Sequence, residues 1–174
     1  MKILLIGPQG SGKSTQADFL SQYLGVPKIS TGDIFRKLSE QDSKDAKKVK
    51  EILLAGKLVD DEITAEIVKN KLQESDVQNG FIMDGYPRTV EQLKIFNPDF
   101  SKVIYLNVPK EEVVKRLLLR GRADDTEELI SKRLELYYLQ TQPLLDYYQE
   151  QGKLVEISGM GDVNQIQDEI KKFI

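Results

Sequence analysis

The stretch 7-GPQGSGKST-15 follows a short apolar segment and fits the spacing G-x-x-x-x-G-K-[ST]. Its glycines let backbone N–H groups turn toward a bound phosphate, and a helix that starts at the lysine directs its positive end there. Lys13 can reach the outer phosphates of a nucleotide, and the Ser14 hydroxyl can ligate Mg²⁺. A glycine turn with a surface lysine is the alternative. The residues predicted to hold the nucleotide are Gly10, Ser11, Gly12, Lys13, Ser14 and Thr15.

A carboxylate that could complete a magnesium site stands at Asp84. It ends the apolar segment 81-FIMD-84, which is the place of the aspartate that organises Mg²⁺ in phosphate-loop enzymes. The residues 84-DGYP-87 also favour a turn, so capping that turn is the alternative role of Asp84. The sequence favours the metal role. It contains no N-K-x-D segment of the kind that reads guanine in switch GTPases.

Arginine is sparse and clustered. Lysine and arginine total 25, of which only six are arginine, and three of these fall within 116-RLLLRGRADD-125. A guanidinium is planar, always charged and able to bind phosphate oxygens in pairs, so rare arginines indicate phosphate contacts, with chance usage as the alternative. Arg116 and Arg120 share one helix face, where a like-charge pair weakens an isolated helix, which favours a role in ligand binding. The six arginines are Arg36, Arg88, Arg116, Arg120, Arg122 and Arg133.

Composition limits the class of protein. The 174 residues suit one compact domain, and a net charge of -3 gives no overall attraction for nucleic acid or anionic lipid. Cysteine and histidine are absent, which excludes thiolate catalysis, cysteine zinc sites and a histidine base. The N-terminal apolar run is too short for a signal peptide, and no segment approaches transmembrane length. The expectation is a cytoplasmic enzyme or binding protein with no nucleic-acid or membrane partner.

Apolar segments alternate with helical patterns along the chain. Strands are predicted at 2–6, 26–29, 80–84, 102–107 and 153–157, and helices at 13–24, 61–75, 110–120, 126–150 and 162–173. The alternation predicts an α/β fold with a parallel five-stranded sheet and helices on both faces. Residues 30–59 interrupt it with two predicted helices, 33–39 and 44–55, and read as an insertion standing off the sheet.

Helix ends are marked around the arginine-rich stretch. Pro109 predicts the start of the helix over 110–120, and Gly121 predicts its end. Asp125, with Glu128 three residues later, has the spacing of a capping box and predicts the start of the next helix.

Taken jointly, the motifs resemble adenylate kinase in its short-lid form. The resemblance is carried by the phosphate loop with 30-STGDIFR-36, 55-AGKLVDDE-62 and 84-DGYPRTVEQ-92, and it extends to 158-SGMGDV-163. It implies one kinase domain over residues 1–174 that transfers a phosphoryl group reversibly from MgATP to AMP, giving two ADP. It also implies Mg²⁺ as cofactor, a monomer, a role in adenine nucleotide homeostasis, and an AMP-binding arm at residues 30–59.

The resemblance assigns roles to individual residues. AMP-binding positions are Thr31, Gly32, Arg36, Lys57, Leu58, Val59, Gly85, Arg88, Gln92, Arg122 and Arg133. ATP-binding positions beyond the phosphate loop are Arg116, Arg120 and Gly161, the last against the adenine. Catalytic positions are Lys13, Arg88, Arg120, Arg122 and Arg133. Asp33 and Asp84 help to order the magnesium water shell beside Ser14. The acceptor is an ionised AMP oxygen, so positioning and electrostatics suffice, in agreement with the lack of histidine.

Three other functions compete with this one. In UMP/CMP kinases the arm resembles A-G-E-L and P-R-N replaces P-R-T, whereas Thr31 and 87-PRT-89 favour AMP here. The Gln92 amide could also read an adenine edge. A catalytically silent nucleotide sensor is expected to lose Lys13, Arg88 or the lid arginines, and all are present. A nucleic-acid-binding ATPase is disfavoured by the acidic balance and by the lack of a basic aromatic patch.

The chain departs from the resembled family at the lid. In that family the arginines matching Arg120 and Arg122 flank a lid domain or a loop of a few residues, whereas Gly121 alone separates them here. Residues 120–122 therefore read as a vestigial lid. We expect the two arginines to be placed by helix ends, substrate-linked closure to be confined to the arm, and ATP hydrolysis without AMP to exceed that of lidded relatives.

Overall fold

Five parallel strands form the centre of the protein. The computed structural model describes residues 1–42, 44–55, 57–122 and 125–174. The strands are β1 (Lys2–Ile6), β2 (Lys28–Ser30), β3 (Phe81–Asp84), β4 (Lys102–Asn107) and β5 (Leu154–Ser158), in the spatial order β2-β3-β1-β4-β5. The predicted α/β fold with a parallel five-stranded sheet is confirmed, and each strand begins within two residues of its prediction. Because β1 lies between β3 and β4, the segments that follow these three strands meet at one edge of the sheet.

Helices surround the sheet. They are α1 (Lys13–Leu24), α2 (Thr31–Ser39), α3 (Lys44–Leu54), α4 (Asp61–Lys71), α5 (Val90–Ile95), α6 (Lys110–Arg120), α7 (Glu127–Leu136), α8 (Pro143–Glu150) and α9 (Val163–Lys171). Three details differ from the sequence prediction. Helix α4 stops at Lys71 and a 3-10 turn follows at Ser75–Val77, α5 was not predicted, and a π-helical turn at Tyr137–Thr141 separates α7 from α8.

The alternation of side chains along β1 builds two cores, one on each face of the sheet. Leu4 and Ile6 point into a cluster with residues of α4, α8 and β3, whereas Ile3 and Leu5 point into a cluster with α1 and α9. A strand with both faces buried must be apolar throughout, which explains the uninterrupted run at residues 3–6. Helices on both faces are therefore confirmed. None of the helices described is long and apolar enough to cross a membrane.

The insertion between β2 and α4 has its own small core. Phe35 of α2, Val49 of α3 and Val59 are buried together, with α4 contributing Ile67 at the edge of the cluster. Ser30 caps α2 by accepting a hydrogen bond from the Asp33 N–H at 3.2 Å. The helix therefore starts two residues earlier than predicted, which brings Thr31 into its first turn.

The junction between α6 and α7 is short. Gly121 adopts a left-handed conformation with φ of 64°, and its N–H donates to the Leu117 carbonyl at 3.3 Å, which ends α6 as predicted. The predicted capping role of Asp125 is wrong. Thr126 caps α7, accepting from the Leu129 N–H at 3.3 Å, while the buried Asp125 carboxylate turns toward Arg120. Charge-assisted bonds to a guanidinium outweigh a cap bond in this buried position.

Candidate active site

A cavity of about 920 Å³ lies between the carboxyl edge of the sheet and the insertion. It is lined by the phosphate loop, the segment after β3, helices α2 and α3, and the ends of α6 and α7. Every site residue predicted from the sequence lines this cavity except Asp33. Residues from positions 10 to 161 are thus brought together at the point where the strand order reverses, which is where ligands bind in parallel α/β sheets.

Positive charge dominates the cavity wall. Among the described residues lining it, nine are lysine or arginine and two are aspartate, although the whole chain carries a net charge of -3. The basic residues are Lys13, Arg36, Lys50, Lys57, Arg88, Arg116, Arg120, Arg122 and Arg133, and the acidic ones are Asp84 and Asp162. All six arginines of the sequence are therefore in one place. A concave, cationic wall of this kind attracts polyanions such as nucleotide phosphates.

The phosphate loop joins β1 to α1 and places Lys13 at the first position of the helix. Its ammonium donates to the Pro8 carbonyl at 2.9 Å, and its side chain is half-buried. Burial lowers the pKa of Lys13 from the ordinary 10.5 to about 8; Asp84 opposes this shift, and Arg88 and Arg120 add to it. The site therefore disfavours the charged form of this lysine, whereas a bound phosphate would favour it.

Ser14 and Asp84 face each other across the floor of the cavity. The Ser14 hydroxyl donates to a carboxylate oxygen of Asp84 at 2.5 Å. A hydroxyl and one carboxylate suit Mg²⁺, which keeps several waters and takes further oxygens from substrate phosphates. No group of three or more acidic side chains that could hold a metal occurs among the described residues. These two side chains could therefore supply part of a coordination shell, with the remaining oxygens from water and a phosphate ligand.

Backbone geometry after β3 fixes Arg88. Gly85 has φ of 94°, and a Cβ there would lie 2.6 Å from the Thr31 hydroxyl oxygen, so only glycine fits. Its carbonyl accepts from that hydroxyl at 2.8 Å and from the Arg88 Nε at 3.0 Å. The Arg88 carbonyl in turn accepts from Thr141 in the π-helical turn at 2.8 Å. Burial lowers the pKa of Arg88; nearby Asp84 opposes that shift, and Arg36 and Arg133 reinforce it.

Carboxylates of α6 and of the segment before α7 contact three of the arginines. Arg120 donates from Nε and Nη2 to Asp125 at 2.7 and 2.6 Å, and the Arg133 guanidinium lies 3.9 Å from the same carboxylate. Although burial raises the pKa of Asp125, its bonds to Arg120 outweigh burial, so that pKa lies below its usual range. Arg116 donates to Glu112 at 2.8 Å and to the Gly159 carbonyl at 2.9 Å. These contacts therefore define the directions of these three guanidinium groups.

Asp33 is the predicted site residue that the cavity leaves out. Its carboxylate pairs with Arg36 three residues later in α2, and the two side chains are equally exposed. Arg36 lines the cavity, so the pair sits at its edge. The role of Asp33 in ordering magnesium water stays a prediction.

Two residues near the cavity were not singled out from the sequence as site residues. Asp125 was interpreted as a helix cap, and Asp61 received no role, yet its carboxylate accepts from the Gln92 Nε2 at 2.8 Å. The signal for Asp125 was its closeness to three arginines in a chain with few of them. No local pattern pointed from Asp61 to Gln92, because the contact joins helices 31 residues apart in sequence.

A parallel sheet whose central strand runs into a phosphate loop is the architecture of the phosphate-loop nucleotide-binding proteins, and the fold and cavity place this chain in that class. The family model described as adenylate kinase matches residues 5–153. The chain is 44% identical to an adenylate kinase of Corynebacterium urealyticum over 175 residues, covering 97% of this chain and 96% of that protein. It is 42% identical to adenylate kinases of Nocardia farcinica over 175 residues and Leptospira biflexa over 184 residues. The match to the Nocardia protein covers 97% of this chain and 96% of that protein. The match to the Leptospira protein covers 99% of each chain. The chain belongs to the adenylate kinase family, as the sequence motifs indicated.

The lowered pKa of Lys13 leads to a prediction about the stability of the fold. Because its pKa is about 8 when folded and 10.5 ordinarily, the charged lysine disfavours folding below pH 8, and this penalty fades as the pH rises toward 10.5. We expect Lys13→Met to raise the free energy of unfolding at neutral pH by ~1–2 kcal/mol, allowing for solvent screening, and by less at about pH 9.5. Urea unfolding at the two pH values measures it. Lys132→Met, at an exposed lysine, is the control; an equal effect at both pH values would contradict the prediction.

Proposed function

We propose that this protein catalyses the reversible transfer of the γ-phosphoryl group from MgATP to AMP, giving two ADP, and so maintains the balance of adenine nucleotides. The observation that carries the proposal is the gathering of all six arginines and Lys13 around one cavity. Two nucleotides that exchange a phosphoryl group bring that much negative charge into one place. The volume, about 920 Å³, is at the large end for a ligand pocket, as two nucleotides require.

The donor occupies the phosphate-loop side in this proposal. The N–H groups at the start of α1 and the Lys13 ammonium bind the β- and γ-phosphates, while Arg116 and Arg120 approach from α6. Gly161, which lines the far end of the cavity, lies against the adenine of ATP. These contacts hold the γ-phosphoryl group at the centre of the cavity.

The acceptor occupies the side of the insertion, which acts as the AMP-binding arm. Arg36 and Arg88, which both line the cavity, bind the AMP phosphate, and the wall of Thr31, Leu58 and Val59 encloses the nucleoside. Arg120, Arg122 and Arg133 stabilise the charge that spreads over the transferring group. Because the attacking AMP oxygen is already ionised, the residues have no proton to remove, and alignment of the two nucleotides supplies the catalysis.

Magnesium enters with ATP. The Ser14 hydroxyl and, through water, the Asp84 carboxylate are the groups that would hold it, and the bound ion neutralises phosphate charge. Family membership supports a cytoplasmic location, and we propose that the enzyme works as a monomer.

The direct test is ADP formation from MgATP with AMP, UMP or CMP as the acceptor. We expect rapid turnover with AMP and at least about tenfold lower kcat/KM with either pyrimidine nucleotide, since the Gln92 amide can pair with adenine. Preference for UMP or CMP would favour the pyrimidine kinase reading. Nucleotide binding without acceptor-dependent turnover would favour the silent sensor.

Arg88 gives a prediction for the acceptor half of the site. Arg88→Ala is expected to lower kcat/KM for AMP by about 100-fold or more, because a lone phosphate loses a charge-assisted, two-pronged partner. The KM for MgATP should change little. Lys94→Ala is the control, because it removes a positive charge from an exposed side chain of α5. Thermal melting checks that both variants fold. Activity of the folded Arg88 variant near the wild-type level would contradict the assignment.

A further prediction concerns which segment closes over the cavity when substrates bind. We propose that substrate binding moves the arm at residues 30–59, whereas the vestigial lid at 120–122 stays in place because Asp125 anchors Arg120 and accepts from the Arg122 N–H at 3.2 Å. Residues 123 and 124 of the junction lie outside the described part of the chain. Hydrogen exchange with and without a bisubstrate analogue is expected to show protection in the arm and little change at 117–122. Equal protection of both segments would refute the proposal.

Exposure of the γ-phosphoryl group to water leads to a prediction about ATP hydrolysis. Without a flap over the donor, water reaches the γ-phosphoryl group, so ATP hydrolysis in the absence of AMP should exceed that of a lidded relative assayed in parallel. Phosphate release from MgATP alone measures this rate. A rate equal to that of the lidded enzyme would show that the site is shielded by other means.

A further inference from the structure

Gln92 is held by a hydrogen-bond network on the side away from the cavity. It is 1% exposed and lines the cavity. Its Nε2 donates to one carboxylate oxygen of Asp61 at 2.8 Å, and the other oxygen of Asp61 accepts from the Thr89 hydroxyl at 3.2 Å. That hydroxyl accepts from the Gln92 N–H at 3.0 Å as the cap of α5. Asp61 thus contacts Gln92 both directly and through Thr89.

The two ends of the Gln92 amide have partners of opposite kind. Asp61 can only accept a hydrogen bond, whereas the Arg88 N–H, which donates to Gln92 Oε1 at 2.7 Å, can only donate. Rotating the amide by half a turn would set an oxygen against the carboxylate and an NH₂ group against the N–H. Both contacts would become repulsive. The orientation of this amide is therefore fixed by its neighbours rather than interchangeable.

The fixed amide keeps one N–H and one oxygen lone pair for a ligand. Adenine places its N6 amino donor beside a ring-nitrogen acceptor, N7 on one edge and N1 on the other. The Gln92 oxygen can accept from N6 while its N–H donates to the ring nitrogen. Hypoxanthine and guanine carry an O6 acceptor in place of the N6 amino group. In the fixed orientation, O6 would meet the Gln92 oxygen, and the amide cannot turn to accommodate it.

We propose that Asp61 is a positioning residue for base selection: it holds the Gln92 amide in the orientation that accepts a 6-amino purine and rejects a 6-oxo purine. This inference rests on the proposed function, because it takes the acceptor base to lie against Gln92. Asp61 itself does not line the cavity, so it acts through Gln92 and has no contact with the nucleotide.

Asp61 is not required to start its own helix. The preceding residue, Asp60, caps α4 by accepting from the N–H groups of Glu62 and Ile63 at 3.0 and 3.3 Å. The packing of α4 and α5 onto the sheet rests on buried Ala65, Val68 and Leu93. The Asp61 side chain therefore has the Gln92–Thr89 network as its contact among the hydrogen bonds described, and its removal leaves the cap and the apolar packing in place.

The test compares AMP with IMP, in which O6 replaces the N6 amino group and N1 carries a proton. Asp61→Ala leaves water beside the Gln92 Nε2, and water can donate or accept. The amide then turns at the cost of the Arg88 N–H bond alone. We expect the AMP-to-IMP ratio of kcat/KM to fall about tenfold or more, through KM for the acceptor, with KM for MgATP unchanged. Asp61→Asn can still accept from Gln92 and is expected to keep the ratio within about threefold of wild type.

Glu62→Ala is the matched control, since it removes an exposed carboxylate from the same helical turn. If Asp61→Ala fails to fold, Asp61→Ser replaces it, because a serine side chain is too short to reach Gln92. The AMP-to-IMP ratio of kcat/KM is expected to fall by the same factor in this variant. Titration calorimetry measures the ratio of the dissociation constants of IMP and AMP, which tests base selection without turnover.

The outcomes separate the two claims. An unchanged ratio in the folded Asp61→Ala or Asp61→Ser protein would overturn the positioning role, even if KM for AMP rose. Equal binding of AMP and IMP by the wild type would overturn it as well. A wild-type protein that discriminates in binding but forms no ADP would sink the proposed function and leave the base-selection role supported.

Discussion

Like charges held close together are the constraint on which the rest of the structure depends. The cavity of this protein gathers six guanidinium groups and Lys13 while the sequence places few carboxylates on its wall. The repulsion is reduced by carboxylates that are not part of the cavity wall: Asp125 for Arg120, Glu112 for Arg116 and Asp33 for Arg36. A buried ion pair contributes little net stability, but it fixes the direction of a long side chain. The acids therefore fix the directions of the cations, and their positive charge suits an anionic ligand.

The fold meets this constraint through rigid supports. The strongest anchors are backbone groups: the Gly85 carbonyl holds Arg88, the Gly159 carbonyl holds Arg116, and the first turn of α1 presents Lys13. The two glycines lie directly after β3 and β5, and α1 follows β1 through the phosphate loop. Buried apolar packing on both faces of the sheet restricts the motion of these strands. Groups held in this way need little reorganisation as charge develops, which is the basis of electrostatic catalysis.

Much of this could be read from the sequence, and the reasons are local. The five strands are short apolar runs buried on both sides, and the phosphate loop has a fixed spacing, so both were predicted within two residues. The contacts that were missed depend on three-dimensional proximity. Whether Asp125 caps a helix or holds Arg120 depends on where the chain goes after Gly121, since the threonine beside it is an equally good cap. The π-helical turn that brings Thr141 to the Arg88 carbonyl is likewise set by packing, because the side chains there also suit an uninterrupted helix.

The order of the strands has a consequence for how the chain is made. β1 is synthesised before its neighbours β3 and β4, which begin at Phe81 and Lys102, so the most central strand stays unpaired until nearly half of the 174 residues exist. At about 5–20 residues per second, synthesis up to the end of β3 at Asp84 takes roughly 4–17 s. During that interval the apolar residues of β1 have no sheet to join, and the phosphate loop behind them has no partner for Lys13 in Asp84. For a newborn chain, the central strand is therefore an apolar surface open to chaperones until β3 can pair with it.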